Sequence, residues 1–214
     1  MDNPAPAEAG LPVVETFHSL QGEGLHAGRS AFFIRLGGCS VGCSWCDTKH
    51  SWPAEAHPSR SLASLAAEAQ QAAGAGAAFV VVTGGEPLHH NLDDLCTALA
   101  KSGLPLHLET SGVDPLSGRF DWITLSPKAH RPPTPELLAA CQELKVIVHG
   151  PGDLAFAEEM ATACLSASQK LGQPALLLQP GWQSEEGKEL AIAYVRQHRP
   201  WRLSLQSHKW LGVR

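Results

Sequence analysis

The sequence predicts an α/β fold, a βα barrel that is open or partial. Three observations point there. Short apolar runs recur along the chain, at residues 31–36 (AFFIRL), 79–82 (FVVV), 106–108 (LHL), 122–125 (WITL), 144–148 (LKVIV), 175–178 (ALLL) and 201–205 (WRLSL). Helical stretches fall between several of them, which argues against a sandwich. Each run is followed by a polar or glycine-rich cluster. With 214 residues, 43% of them hydrophobic, the chain is long enough for one such domain with a sizeable core.

Most of the runs are short and apolar on both faces, which suits parallel strands covered on both sides. Helical patterning occupies residues 61–73, 92–101, 135–141, 153–171 and 185–198. Asn91 and Thr134 are suited to cap helix starts, and Gly103 and Gly172 to stop helices. The stretch from Leu108 to Trp122 is too short for an ordinary helical crossover, so part of the regular α/β layering is missing there. Residues 1–12, rich in Pro and Ala, are expected to be disordered, leaving 13–214 as a single domain. Gly74-Ala-Gly76 precedes a strand, whereas a dinucleotide fingerprint needs its glycines after one. It reads as a flexible helix end.

Charge and composition exclude several classes. The net charge is −5, with no run of five Lys or Arg, so there is no footprint for duplex nucleic acid. The start, MDNPAPAEAGLP, lacks the basic and apolar regions of a signal peptide, and no apolar run is long enough to span a bilayer. A cytoplasmic protein with no nucleic-acid or membrane partner is expected. In a reducing cytosol a tight cysteine cluster reads as metal-binding. Cys96, Cys141 and Cys164 stand apart in helical stretches and read as small buried hydrophobes.

The clusters behind the runs carry the chemistry. After AFFIRL comes GGCSVGCSWCDTKH; after FVVV comes Thr83-Gly84-Gly85-Glu86-Pro87. LHL is followed by Glu109, Thr110, Ser111 and Gly112, and WITL by Ser126, Pro127 and Lys128. KVIV ends at His149, ALLL at Gln179-Pro180, and WRLSL at Gln206, Ser207, His208 and Lys209. Parallel barrel strands point one way, so these tips converge on the rim where such barrels hold their sites. The triplet Cys39, Cys43, Cys46 has the spacing C-x3-C-x2-C. A structural zinc site needs a fourth donor, for which His50 or His57 is available. The other candidate is an iron–sulfur cluster, in which three thiolates on four irons leave one iron open to a reacting ligand.

C-x3-C-x2-C directly after a first barrel strand, with Gly84-Gly85-Glu86 after the second, resembles the radical S-adenosylmethionine (SAM) superfamily. That resemblance implies a partial TIM-type βα barrel of the radical SAM type, with a 4Fe-4S cluster on Cys39, Cys43 and Cys46 and SAM on its open iron. Further motifs, HSLQGEG at residues 18–24, SPK at 126–128 and LQSHK at 205–209, resemble the 7-carboxy-7-deazaguanine synthase family from about residue 13 to 212. The family resemblance implies a lyase that splits SAM to a 5′-deoxyadenosyl radical. The radical takes a hydrogen from C6 of 6-carboxy-5,6,7,8-tetrahydropterin. The ring contracts, ammonia leaves and 7-carboxy-7-deazaguanine forms, in queuosine and 7-deazapurine biosynthesis. It also implies Mg2+ and a flavodoxin or ferredoxin as electron donor. A partial barrel leaves its sheet edges uncovered, so a homodimer is expected.

The resemblance assigns roles residue by residue. Substrate falls to Leu20, Gln21, Gly22, Glu23, Arg35, Thr83, Gln206 and His208, with Arg214 near the chain end added to them. Arg35 is suited to clamp the carboxylate by two parallel N–H bonds, or else forms an ion pair within the barrel. Gln21 and Glu23 are suited to the pterin edge. SAM falls to Gly84, Gly85, Glu86, Ser111, Ser126, Pro127, Lys128, Gln179, Pro180, Gly181 and Trp182. The two glycines allow close backbone approach to the methionine amino group. Thr48 resembles the family's Mg2+ ligand. Asp47, Lys49 and His50 receive no chemistry, and His89 and His90 read as exposed or capping. Two competing functions remain at this point: a glycyl-radical activase acting on a protein glycine, and an electron carrier or zinc-stapled module that is no enzyme.

Overall fold

The structure, a computed structural model, describes residues 10–167 and 172–214. Nine strands form one sheet: β1 (Gly10–Leu20), β2 (Ser30–Leu36), β3 (Ser59–Ser61), β4 (Val80–Gly84), β5 (Leu106–Thr110), β6 (Trp122–Leu125), β7 (Glu143–Val148), β8 (Ala175–Pro180) and β9 (Trp201–Leu203). Their order is β3-β1-β2-β4-β5-β6-β7-β8-β9. From β2 through β9 every pairing is parallel, and these are the seven expected runs. The terminal strands β3 and β9 do not pair with each other, so the barrel is open.

β1 has no counterpart among the expected runs. It pairs antiparallel with β2 along most of its length and with β3 at its start. Gly10, Leu11 and Pro12 therefore belong to a strand, which corrects part of the segment expected to be disordered; residues 1–9 lie outside the described ones. VVETFHSL carries polar residues through the strand because β1 is the long strand near the sheet's edge, only partly buried.

The strand side chains alternate between two environments, as a period of two requires. Phe32, Ile34 and Leu36 of β2, with Val80, Val82, Leu106, Leu108, Ile123, Leu125, Leu144, Val146, Val148, Leu176 and Leu178, form the outer core with the helices. The inner face is not apolar throughout, contrary to the both-faces expectation. A small apolar cluster of Ala31, Phe33, Phe79 and Val81 gives way to Arg35, Thr83, Glu109, Thr124, Lys145 and Gln179, all lining a cavity.

The helices are α1 (Leu62–Gly74), α2 (Asp93–Leu99), α3 (Pro135–Ala140), α4 (Pro151–Ala167), α5 (Glu185–Gln197) and α6 (Ser207–Leu211). Thr134 caps α3 by accepting from Leu137 N, and Ser61 caps α1 in the same way. Asn91 misses the cap position by one residue; its Oδ1 accepts from Asp93 N at 2.9 Å while Leu92 occupies the cap. Gly103 ends the α2 segment at φ +71°. Residues 168–171, the end of the expected fourth helix, lie outside the described ones. No α-helix joins β5 to β6, as the short connection requires.

Where β4, β5 and β6 begin, the barrel is plugged by aromatic rings. Phe79 stacks on His107 at 4.1 Å, and His26 from the loop after β1 meets both His107 (4.7 Å) and Trp122 (4.5 Å). These rings fill the end opposite the strand tips.

Candidate active site

A cavity of about 630 Å³ lies at the C-terminal ends of the strands, inside the range typical of small-molecule sites. Of the residues proposed for substrate, SAM and metal, every one lines it except Pro127. Pro127 sits between two lining residues, Ser126 and Lys128, whose side chains are joined at 2.8 Å.

The loop after β2 brings Cys39, Cys43 and Cys46 to one wall. All three are free thiols. Burial pushes the Cys39 and Cys43 thiols up from their ordinary value, and the Lys128 ammonium opposes this at Cys43. Metal binding would have to release those protons. The loop is clasped through its backbone. His90 Nε2 donates to Gly37 O at 2.8 Å, and His130 Nε2 to Val41 O at 3.1 Å. Arg131 Nη1 donates to Ser40 O at 2.7 Å. Ser40 N donates to His89 Nε2 at 3.0 Å, which leaves the His89 proton on Nδ1, facing the Asp114 carboxylate. Below, Gly38 N reaches Ser51 O (2.8 Å) and Cys39 N reaches Trp52 O (3.0 Å). His89 and His90 are therefore not exposed: His90 does cap the short turn Pro87–His89 through its N–H, but both side chains serve the cysteine loop. Asp47 pairs with Lys209, whose ammonium also lies 4.7 Å above the Trp182 ring. That pairing ties the cysteine loop to α6.

Gly84 and Gly85 have a reason the sequence did not disclose. A Cβ at Gly84 (φ +143°) would stand 2.2 Å from Leu36 O, and one at Gly85 would stand 2.3 Å from Gly38 O. Only glycines let the β4 tip lie against the start of the cysteine loop, where Gly85 N donates to Leu36 O and Glu86 N to Gly38 O, each at 2.9 Å. Glu86 is 1% exposed. Its carboxylate accepts from Leu88 N, Thr110 Oγ1, Ser111 N and Ser111 Oγ, which fastens the β4 tip to the β5 tip.

The floor is a network across strands. Glu109 accepts from Gln21 Nε2 (2.9 Å) and Thr83 Oγ1 (3.0 Å). Glu23 pairs with the ammonium of Lys145 and accepts from Gln206 Nε2 at 3.0 Å. Burial alone would raise the Glu23 carboxyl, but Lys145, Gln179 and Gln206 outweigh it and hold it at about 2. Burial would lower Lys145; Glu23, Glu109 and Glu143 overcome that and leave it raised. Arg35 Nε is 3.0 Å from Glu15 Oε1, the barrel ion pair weighed against a clamp, and Arg214 holds the other oxygen of Glu15 at 3.1 Å. Ser19 Oγ donates to the main-chain oxygen of Arg214 at 2.6 Å, which fixes the chain end beside the cavity.

Sequence reasoning brought Glu109 to the rim with the other strand-tip residues but gave it no role, and it missed Lys145, although LKVIV displays a charged residue. The donor set fits an iron–sulfur cluster better than zinc. His57, a candidate fourth zinc ligand, spends Nε2 on His50 O at 2.9 Å. Among the described residues no three His, Cys, Asp or Glu side chains gather tightly enough for a single metal ion. The three thiols instead share one wall of a cavity large enough for a cluster and an organic ligand.

The chain belongs to the radical SAM superfamily, whose model matches residues 33–149. It is 54% identical to a 7-carboxy-7-deazaguanine synthase of Prochlorococcus marinus, over 95% of this chain and 98% of that protein. With the protein of the same name from Escherichia coli (strain K12) it shares 35% over 94% and 98%. The crystal structure of QueE from Escherichia coli superposes with a TM-score of 0.79 at 33% identity, covering 93% of this chain and 95% of that one. Within the superfamily, the chain is a member of the 7-carboxy-7-deazaguanine synthase family.

Proposed function

We propose that this chain converts 6-carboxy-5,6,7,8-tetrahydropterin to 7-carboxy-7-deazaguanine, with ring contraction and loss of ammonia, for queuosine and 7-deazapurine biosynthesis. The observation that carries this is the meeting of two residue sets around one cavity. The cysteine loop and the Gly84-Gly85-Glu86 turn make one wall; Gln21, Glu23, Arg35, Thr83 and His208 line the rest. The small-molecule size of the cavity favours a pterin over a protein glycine.

Cys39, Cys43 and Cys46 would hold a 4Fe-4S cluster, and SAM would lie along the tips of β4, β5, β6 and β8. When bound, these groups supply hydrogen-atom abstraction from the substrate. The chain's own part is to bind, orient and exclude water. Glu23 and Glu109 are acceptors for the N–H groups of a pterin edge, and Gln21 supplies an amide beside them. Arg35 keeps its terminal nitrogens for a carboxylate while Nε stays on Glu15. Ser126, Lys128, Ser111 and the stretch Gln179, Pro180, Gly181 and Trp182 border the SAM side. Thr48, with Oγ1 3.5 Å from Cys46 Sγ at the cavity wall, is the Mg2+ ligand in this reading.

Residues 10–214 act as one domain, since β1 begins at Gly10. A flavodoxin or ferredoxin supplies the electron, and two chains pair as a homodimer in the cytoplasm; the outer edges of β3 and β9, which carry no further strand among the described residues, support pairing. Among the described residues no helix is long and apolar enough to cross a membrane. The test is anaerobic reconstitution with iron and sulfide, then SAM, reductant, Mg2+ and carboxytetrahydropterin. Formation of a deazapurine is expected. No product with every component present would reject the proposal.

A further inference from the structure

We propose that Lys145 is a positioning residue for ligand recognition: it holds the Glu23 carboxylate in place on the cavity floor as an acceptor for ligand N–H groups. This rests on the reading of the cavity as a pterin site.

Glu23 does not sit on a strand. It lies in the loop between β1 and β2, and its own N–H donates to Gln21 Oε1 at 3.0 Å. The next two residues hang from the barrel interior: Gly24 N donates to Ser204 Oγ (3.0 Å) and Leu25 N to Glu143 Oε2 (2.9 Å). Gln206 and Lys145 grip the Glu23 carboxylate, with Gln179 beside them, and Lys145 is the cation of the three. Lys145 projects from the middle of β7, with a side chain 6% exposed. Glu23, Glu109 and Glu143 all act on this one ammonium, while His208 and Lys128 also feel the Glu23 charge.

Three carboxylates in one low-dielectric space repel one another and favour protonation. Lys145 offsets that repulsion and keeps Glu23 acceptor-only. A protonated Glu23 would present a donor to the donor-rich edge of a pterin, which is the wrong polarity. The Lys145 side chain thus sets which edge chemistry the floor accepts. The low value of the Glu23 carboxyl, about 2, agrees with this role.

The test uses the SAM-loaded, cluster-reconstituted enzyme under anaerobic conditions and 6-carboxypterin, an unreduced analogue, as the titrated probe. Binding by wild type should be level between pH 6 and 8.5, within the modest change caused by His208. Lys145→Met should weaken binding at pH 7 by about 30-fold, in line with truncating one partner of a buried charge pair. The loss should be larger at pH 6 and smaller at pH 8.5, as Glu23 titrates without its ammonium. Lys145→Arg should restore the level profile. Glu23→Gln should lose a similar amount, and the double variant no more than either alone. A loss in Lys145→Met that is the same at every pH would mean a merely structural role and overturn the inference, as would wild-type affinity. Wild-type affinity in Glu23→Gln would overturn the pterin-site reading along with it. If Lys145→Met fails to fold, Lys145→Gln, uncharged but able to hydrogen-bond, answers by the same pH comparison.

Discussion

The cysteine loop and the cavity floor face each other across one site, yet they are built in opposite ways. The loop is a continuous piece of chain, and what holds it is side chain to backbone: His90 on Gly37 O, His130 on Val41 O, Arg131 on Ser40 O, Ser40 N on His89. The floor is assembled from separate strands and the loop after β1, side chain to side chain: Thr83 with Glu109, Gln21 with Glu109, Lys145 with Glu23. A backbone clasp tolerates changes in the loop's side chains and frees the thiols for ligands. A charged network tolerates no unpaired member, because each removal strands a buried charge. The difference predicts where mutations act on cofactor content and where on the folded state itself.

The largest effect expected is on the loop. Cys43→Ala should leave a folded protein that reconstitutes with far fewer than the wild type's approximately four irons per chain. Turnover should fall below detection, with little change in melting temperature. Iron analysis beside a thermal melt checks this; full iron content with an unchanged spectrum would break the assignment of the triplet. Glu86→Ala comes next, and moves stability instead. It strips one buried carboxylate from Leu88 N, Thr110, and both donors of Ser111. A loss of about 3 kcal/mol in chemical denaturation is expected, from several unsatisfied buried donors. His89→Ala should be smaller, about 1 kcal/mol, since it releases Ser40 N and Asp114 at a partly exposed position. Its sharper sign is kinetic: a chelator should remove iron faster from the variant. Equal removal rates would mean that the clasp does not secure the loop.

The same contrast explains what could be read in the sequence. All seven parallel strands were legible because each buries one face in the outer core, and Ile34, Val82, Leu108, Leu125 and Leu144 are fully or almost fully buried. The thiols and Gly84-Gly85-Glu86 were legible because spacing along the chain is itself the signal. β1 was not, since a strand near the open edge needs little apolar content. Lys145 escaped because the inner face of a strand was read as a second apolar face, and Glu109 was seen at a strand tip without its partners. A lysine within LKVIV is costly to bury alone, and its partners come from other strands and from the loop before β2. Gly84 and Gly85 were placed correctly in the site for an incomplete reason: the backbone they admit in this structure is that of Leu36 and Gly38.

The smallest expected effect sharpens the comparison by moving to the far end of the barrel, where rings rather than charges fill the interior. His107 stacks on Phe79, beside His26 and Trp122. Burial first, then the neighbouring His26 and Arg29, push its imidazole down from 6.5 to about 4, with Asp121 opposing. The unfolded chain therefore binds a proton near 6.5 that the folded chain refuses until about pH 4. Folded stability must decline as pH falls through that window, by about 1 kcal/mol between pH 7.5 and 5.5. The low-lying Glu23 carboxyl stays ionised across this range in both states and adds little. Glu143, raised by burial, contributes with the opposite sign. Denaturant titrations at the two pH values should show the decline in wild type and a flatter dependence in His107→Gln. The same slope in both proteins would assign the acid sensitivity to other histidines, His26 first, and leave the aromatic plug as pH-indifferent packing.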